Sequence, residues 1–103
     1  MSEAELQRLV AELCARLGLH HYHTHDSRRS EPGFPDSVII GSAILYRELK
    51  SRDGVLKPEQ RRWGSRIIRA AGDWCVWRPR DWEDGTILRQ LTAIRAGALS
   101  TAP

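Results

Sequence analysis

The stretch over residues 33–50 constrains the fold of this chain more than any other. It contains two apolar runs, 37–40 and 43–49, joined by Gly41-Ser42. That dipeptide has the composition of a tight connection between antiparallel strands. The stretch is therefore predicted to be a β-hairpin.

Three charged residues lie in this hairpin where strand stability alone would not favour them. Asp36 enters the first strand, and Glu48 and Lys50 close the second. Because side chains alternate across a strand, Glu48 and Lys50 share one face, and the hairpin brings Asp36 back beside them. The sequence thus predicts two carboxylates and one ammonium group at one end of a sheet.

Carboxylates held this close repel each other unless a cation lies between them. Hard oxygen ligands favour Mg²⁺, Mn²⁺ or Ca²⁺. The chemistry that this arrangement indicates is metal-assisted attack on a phosphate.

The motifs Pro35-Asp36 and Glu48-Leu49-Lys50 resemble the signature of the PD-(D/E)xK nuclease superfamily. With YHTHDSRRSEPGFPD before them and LKPEQRRW after them, the chain is similar over residues 3–91 to the VRR-NUC branch of small phage and bacterial endonucleases. A bare PD followed by ExK is a weak pattern, but GFPD, ELK and PEQ in this order are far more specific. The resemblance implies a Mg²⁺- or Mn²⁺-dependent endonuclease that leaves a 5′-phosphate and a 3′-hydroxyl.

The resemblance also implies roles for individual residues. Asp36, Glu48 and the backbone carbonyl of Leu49 are expected to bind one or two divalent ions. Lys50 is expected either to orient or deprotonate the attacking water or to stabilise charge in the transition state.

Two further residues are expected to complete the catalytic set. Gln60 lies on the buried face of a helix, where it would position a phosphate or the attacking water; the alternative is a glutamine at the edge of the core that bonds to the backbone. The resemblance implies an acidic residue on the first helix, and Glu3 is the first assignment, with Gln7 as its possible partner. Alternatively, Glu3 only complements the helix dipole.

The predicted DNA contacts lie in two segments. In the polar loop after the first strand, the alternative for Asp26 and Ser27 is that they satisfy backbone amides. On the second helix, Lys57 and Arg61 are favoured as DNA contacts because they lie nearest the active site. Arg62, Arg66 and Arg69 form a separate stripe that is solvated or contacts phosphate. The predicted contacts are His23, Asp26, Ser27, Arg28, Lys57 and Arg61.

Histidines are clustered at positions 20, 21, 23 and 25, which invites a zinc interpretation. No cysteine or histidine elsewhere completes a tetrahedral set, although carboxylates could do so. We interpret these residues as solvated or DNA-facing imidazoles. Arg47 is a second unusual residue, since its charge within a strand predicts an interface or a thinly covered sheet face.

The remaining pattern predicts the fold. A capping box at Ser2 and Glu5 opens a helix that ends at Gly18, and a short strand over 19–24 follows. After the hairpin come a helix over 58–72, a strand over 74–79 and a closing helix over 80–91. We predict an α/β fold with a restriction-endonuclease-like αβββαβ core, its four-stranded mixed sheet flanked by helices. The nuclease domain spans 1–91, and 92–103 form a tail.

Composition sets the remaining limits. The 103 residues make one domain, and 16 Lys and Arg against 13 Asp and Glu give a net charge of +3, which favours a nucleic-acid partner only mildly. The sequence shows no secretory leader and no long apolar run, so we expect a cytosolic protein with Cys14 and Cys75 as reduced thiols.

The resemblance implies a homodimer that cuts branched DNA such as a Holliday junction. One alternative is a nicking or restriction-like endonuclease that acts on linear duplex. The other is a non-catalytic nucleic-acid-binding module.

Overall fold

The computed structural model describes residues 1–24 and 31–95. The predicted DNA contacts Asp26, Ser27 and Arg28, and the predicted tail after Arg95, lie outside the described residues. The helices and strands of the described part follow one another as α1 (Glu3–Arg16), β1 (His20–His23), β2 (Ser37–Ile40), β3 (Ile44–Leu49), α2 (Pro58–Arg69), β4 (Asp73–Trp77), α3 (Pro79–Glu83) and α4 (Thr86–Ile94).

The four strands form one mixed sheet in the order β1-β2-β3-β4. The β1–β2 and β2–β3 pairs are antiparallel, whereas β3 and β4 are parallel and are connected through α2. This arrangement confirms the predicted αβββαβ core and the mixed four-stranded sheet with flanking helices.

Helix α1 begins where its sequence predicts. The Ser2 side chain accepts a hydrogen bond from the backbone N–H of Glu5, and the Glu5 carboxylate accepts one from the backbone N–H of Ser2. These bonds satisfy two N–H groups that an uncapped helix would leave unpaired. Gly18, with φ of 70°, follows the helix in the left-handed conformation that the predicted stop requires.

The hydrophobic core lies on one face of the sheet. Helices α1 and α4 cover this face, and α1 contributes a stripe at helical spacing that is fully buried. The core residues are Leu6, Val10, Cys14, Leu19, Ile39, Leu45, Leu49, Trp77, Ile87, Leu91 and Ile94. Cys14 and Cys75 are both free thiols.

The predicted closing helix over 80–91 is wrong in one respect, because the structure has two helices there. The first of these helices ends before Gly85, which adopts φ of 83°. The Asp84 carboxylate then accepts a hydrogen bond from the backbone N–H of Thr86 at 2.9 Å. This local bond restarts the helix. Ile94 is buried in the core, and its carbonyl accepts a hydrogen bond from Ser42, so the packed structure continues past residue 91.

Arg47 is buried on the core side of the sheet, with 1% of its surface exposed. Its guanidinium donates hydrogen bonds to the Asp73 carbonyl at 2.7 Å, the Tyr46 carbonyl at 3.0 Å and the Gln90 side chain at 3.0 Å. It also pairs with the Asp73 carboxylate at 3.0 Å and lies 5.1 Å from the centre of the Trp77 ring. The face around Arg47 is therefore covered from within the chain.

Over the described ranges, 1–24 and 31–95, the helices are too short or too polar to span a membrane.

Candidate active site

The hairpin brings Asp36 to Glu48. Ser37 pairs with Arg47 in the β2–β3 ladder, so continuing the register by one residue sets Asp36 opposite Glu48. The Asp36 carboxylate accepts a hydrogen bond from the backbone N–H of Leu49 at 2.8 Å, which fixes its orientation. The two carboxylates therefore meet at one end of the sheet, on the face opposite the main core.

Glu48 is 2% exposed, and only one of its oxygens has a partner among the described residues. Its Oε2 accepts a hydrogen bond from Gln60 Nε2 at 3.2 Å, whereas in the described part of the chain its buried Oε1 accepts none from an N–H or hydroxyl group, which leaves a proton shared with Asp36 as its internal partner. Burial raises the pKa of Glu48 to about 9, the hydrogen bond and the charge of Asp36 add to the shift, the Lys50 ammonium opposes it and Glu3 adds a small increment. Asp36 and Lys50 thus act on Glu48 at short range, whereas the charge of Glu3 is the last of the contributions to its pKa.

The unpartnered Oε1 of Glu48 indicates what this pair of acids can hold. Two ionised carboxylates have no hydrogen atom between them, so a shared proton or a cation must compensate their charges. The donors are hard oxygens, which fit Mg²⁺ or Mn²⁺. In residues 1–24 and 31–95 no three His, Cys, Asp or Glu side chains converge, so the two carboxylates need backbone or water oxygens to complete a coordination sphere.

Gln60 connects α2 to the acidic pair. Its Oε1 accepts a hydrogen bond from the backbone N–H of Lys57 at 2.8 Å, and its Nε2 donates to Glu48. The backbone of Gly33 packs closely against the start of this helix. A Cβ at Gly33 would lie 2.5 Å from the Glu59 carbonyl, and the φ of 91° also favours glycine there. Gln60 therefore bonds to the backbone and also faces the carboxylates, while its role towards a phosphate or the attacking water stays a prediction.

Lys50 is buried where β3 ends, and the turn after it packs along its side chain. Its backbone N–H donates to the Trp77 carbonyl at 3.0 Å. Gly54 lies beside its aliphatic stem, so that a Cβ there would be 3.4 Å from Lys50 Cδ. The turn over 51–54 thus lies beside the stem that carries the ammonium group.

Arg78 holds that turn in place, and the sequence did not predict its role. Its Nη1 donates to the carbonyls of Ser51 and Gly54 at 2.8 Å each, and to that of Arg52 at 3.4 Å. The parallel register pairs Leu49 with Trp77, which sets Arg78 opposite Lys50. One signal in the sequence could have indicated the role of Arg78. It directly follows β4, the strand that pairs with the Glu48 strand β3.

His23 lies between α1 and the backbone of Asp36. Its Nδ1 is 3.0 Å from the Asp36 carbonyl and 3.0 Å from Gln7 Nε2, and its tautomer decides which of these bonds forms. The contacts connect α1 to the backbone of Asp36. Glu3 lies one turn before Gln7 at the exposed start of α1, near enough to affect the pKa of Glu48.

The predicted basic contacts surround the start of α2. Lys57 is the residue that precedes the helix, and Arg61 lies on its first turn; both side chains are exposed. The stripe of Arg62, Arg66 and Arg69 is also exposed, on the outer surface of the same helix. We call these exposed basic residues, Lys57, Arg61, Arg62, Arg66 and Arg69, the cationic rim. Its Lys57 end lies beside the carboxylates.

The sheet order and its helices define a restriction-endonuclease-like α/β fold. Among solved structures, the chain is similar to a VRR_NUC domain protein, with 17% identity over 91% of this chain and 90% of that one and a TM-score of 0.69. This similarity confirms the predicted resemblance at the level of the fold. A second similar structure is Hjc, a Holliday junction resolvase of Archaeoglobus fulgidus, with 22% identity over 71% of this chain and 68% of that one and a TM-score of 0.45. Neither the protein-family models nor the curated proteins include a match.

Proposed function

We propose that this protein is a divalent-metal-dependent DNA endonuclease that hydrolyses phosphodiester bonds, with branched DNA such as a Holliday junction as its substrate. The observation that carries the proposal is the buried Glu48 carboxylate, which faces the Asp36 carboxylate with one oxygen unpartnered. A sheet built only for stability would not bury one acid and place a second, half-buried acid against it. Perturbed groups of this kind mark functional sites.

The residues that would hold Mg²⁺ or Mn²⁺ are Asp36, Glu48 and the backbone carbonyl of Leu49. The hydrogen bond from the Leu49 N–H leaves Asp36 one oxygen for a cation, and Oε1 leaves Glu48 one as well. When bound, such an ion polarises a phosphate and lowers the pKa of water.

The remaining polar side chains act on the substrate. The Lys50 ammonium, held by its turn, stabilises negative charge that develops on the phosphate. Gln60 fixes Glu48 through its amide and presents the start of α2 to the substrate. Glu3 supplies a further acidic group from α1, where it adds to the negative potential that attracts a cation.

DNA would lie across the cationic rim. Lys57 and Arg61 contact phosphates beside the scissile bond, and His23, Asp26, Ser27 and Arg28 belong to the segment that borders the site. Phosphate contacts of this kind position the DNA without reading its sequence. Affinity should therefore fall as salt rises.

The preference for branched DNA and a homodimer with two active sites rest on the likeness to the VRR-NUC branch. In that likeness each protomer would cut one strand of a junction. Sedimentation of the free protein and of its complex with a four-way junction tests this assembly: we expect two protomers per junction, and a single protomer that cuts both strands symmetrically would contradict it.

A substrate panel tests the proposed activity. Four-way junction, flap, nicked, single-stranded and linear duplex DNA are incubated with the protein in Mg²⁺, Mn²⁺ or EDTA, with Glu48→Gln, purified identically, as the matched control. We expect cleavage of the junction in either metal, none in EDTA and none by the variant. Equal cleavage of linear duplex would favour a restriction-like enzyme, and DNA binding with neither cleavage nor metal binding would favour a non-catalytic module.

A further inference from the structure

Three aromatic residues lie close in sequence to the acidic site and meet beside it. Phe34 is two residues before Asp36, Tyr46 is two residues before Glu48, and Trp63 is one helical turn after Gln60. Since residues two apart on a strand share a face, Tyr46 lies on the same side of the sheet as Glu48. The segments that position the acidic site therefore also position these rings.

The rings line a concave cavity of about 270 Å³, which we call the aromatic pocket. Its lining is Phe34, Tyr46, Trp63, Ile67, Ala70 and Gly72. No residue of this set carries a charge at neutral pH. The pocket is thus chemically unlike the acidic site that adjoins it, and it suits an uncharged, flat group.

Two of the rings are fixed before any ligand arrives. The centres of Phe34 and Trp63 are 5.2 Å apart and their planes meet at 85°. The Trp63 indole N–H donates to the Pro32 carbonyl at 3.2 Å, which sets the orientation of its ring. A planar group that stacks on one ring would therefore meet the other at its edge, and little ordering would be needed on binding.

Charge complementarity identifies the ligand. On its other side Trp63 borders a second cavity, of about 330 Å³, in which Glu31 and Glu59 match Arg62 and Arg66, whereas α2 as a whole carries four arginines against the single Glu59. Polynucleotides combine anionic phosphates with neutral planar bases, and the uncharged aromatic pocket between a cationic helix surface and the acidic site matches the bases. Aromatic side chains stack on any base because every base has a π-face.

We propose that the aromatic pocket binds an unpaired nucleobase of the DNA strand, next to the phosphate that is cut. The inference rests on the proposed function and names the feature of the substrate that the site selects. A base within an intact duplex is paired and stacked on both sides and must be extruded before it can enter, whereas an unpaired base beside a branch point is already free. The pocket therefore favours branched DNA over linear duplex.

Binding measurements with a fluorescent base test the proposal. The DNA carries 2-aminopurine, whose emission falls on stacking, at an unpaired position beside the branch, and the comparison DNA is a fully paired duplex with the same label. Titrations in EDTA separate binding from cleavage. For the wild-type protein we expect emission to fall with the branched DNA and to stay unchanged with the duplex.

The variants Tyr46→Leu and Phe34→Leu remove one ring each. We expect each to bind the branched DNA about tenfold more weakly, since one base stack is lost, and the duplex with unchanged affinity. Tyr22→Leu is the matched control, because Tyr22 is an exposed tyrosine on the same sheet face, two strands away from Tyr46. Thermal unfolding of each variant checks that its fold is kept.

Wild-type affinity of both folded pocket variants for the branched DNA would overturn the proposal. So would an equal loss in Tyr22→Leu, which would indicate a general surface effect. Sedimentation showing that Tyr46→Leu separates a dimer would also overturn it, because a second copy would then cover the pocket. A protein that quenches 2-aminopurine but cuts no DNA in Mg²⁺ would reject the endonuclease while keeping the base site.

Discussion

Arg47 and Glu48 are neighbours on β3, and they show two different ways in which this protein holds a buried charge. Both are nearly inaccessible, with 1% and 2% of their surfaces exposed. Arg47 points into the core side, where the Asp73 carboxylate and several oxygens surround its guanidinium. Glu48 points to the opposite face, where it meets a carboxylate of its own sign; among the described residues its Oε1 accepts no hydrogen bond, and Arg47 Nε likewise donates none.

Under the proposed function, the difference separates a structural charge from a catalytic one. Around Arg47, a group of opposite sign offsets most of the cost of burial, so the interaction fastens β3 to β4 and α4. Around Glu48, the neighbouring acid increases that cost, which a bound cation would offset. Replacing each residue should therefore affect different properties of the protein.

The largest effect on cleavage is expected from replacing the residues of the proposed site, Asp36, Glu48 and Lys50. Glu48→Gln and Asp36→Asn keep the shape of each side chain but remove its charge, and Lys50→Ala removes the ammonium group. Each should lower the single-turnover rate of junction cleavage on the order of 10³-fold or more, because the two carboxylates would hold the cation that compensates transition-state charge and Lys50 supplies a positive charge itself.

Glu48→Gln and Asp36→Asn should unfold in EDTA at or above the wild-type temperature, since the pair of acids has been relieved, whereas Lys50→Ala should not, because it removes the cation beside that pair. Full activity in all three, with contaminating nuclease excluded by a mock purification, would contradict the proposed site.

Replacement of Arg47 should reverse that pattern. Arg47→Ala should lower the free energy of unfolding by about 2–3 kcal/mol, because hydrogen bonds from a buried charged group are lost. Asp73→Asn should cost less, since the Asp73 carbonyl and Gln90 still accept bonds from the guanidinium.

Urea unfolding measures both changes, and cleavage is assayed well below the unfolding temperature. We expect near-normal cleavage by the folded Arg47→Ala protein. An inactive but equally stable protein would show that Arg47 belongs to the active site.

Arg78 should give an intermediate effect, as a positioning residue for Lys50. Arg78→Ala releases the 51–54 turn, and we expect kcat to fall about tenfold with little change in KM, because a misplaced catalytic group is costly while binding is retained. Arg78→Lys should restore part of the rate. Arg80→Ala, an exposed neighbour, is the control; equal losses in the two alanine variants would remove this role.

The pKa of Glu48 predicts a smaller effect on stability. Because the folded-state pKa of Glu48 is raised to about 9, the folded protein keeps a proton that the unfolded chain releases near the ordinary pKa of 4.5. The contribution of Glu48 to stability is complete below that value and is lost as pH rises towards 9. In EDTA the unfolding temperature should therefore fall more steeply between pH 6 and 9 for wild type than for Glu48→Gln, and identical slopes would contradict the raised pKa.

The sequence was sufficient to predict the sheet and the meeting of Asp36 with Glu48, since strand alternation and a short hairpin connection fix the register. It was not sufficient for contacts that depend on residues far apart in the chain. The compensation of Arg47 needs Asp73 and Gln90, and the contacts of Arg78 need the parallel pairing of β3 with β4. The division of the closing helix depended on one local bond at Asp84.

Direct titration with Mn²⁺ tests most sharply whether Asp36 and Glu48 hold a divalent ion. Calorimetry near pH 7, repeated in buffers of different ionisation enthalpy, measures both the affinity and the protons released. We predict that wild type binds Mn²⁺ and releases a proton, because the raised pKa leaves one on the pair. Glu48→Gln should lose this binding. Binding of Mn²⁺ by Glu48→Gln with wild-type affinity, or no binding by the folded wild-type protein, would contradict the account.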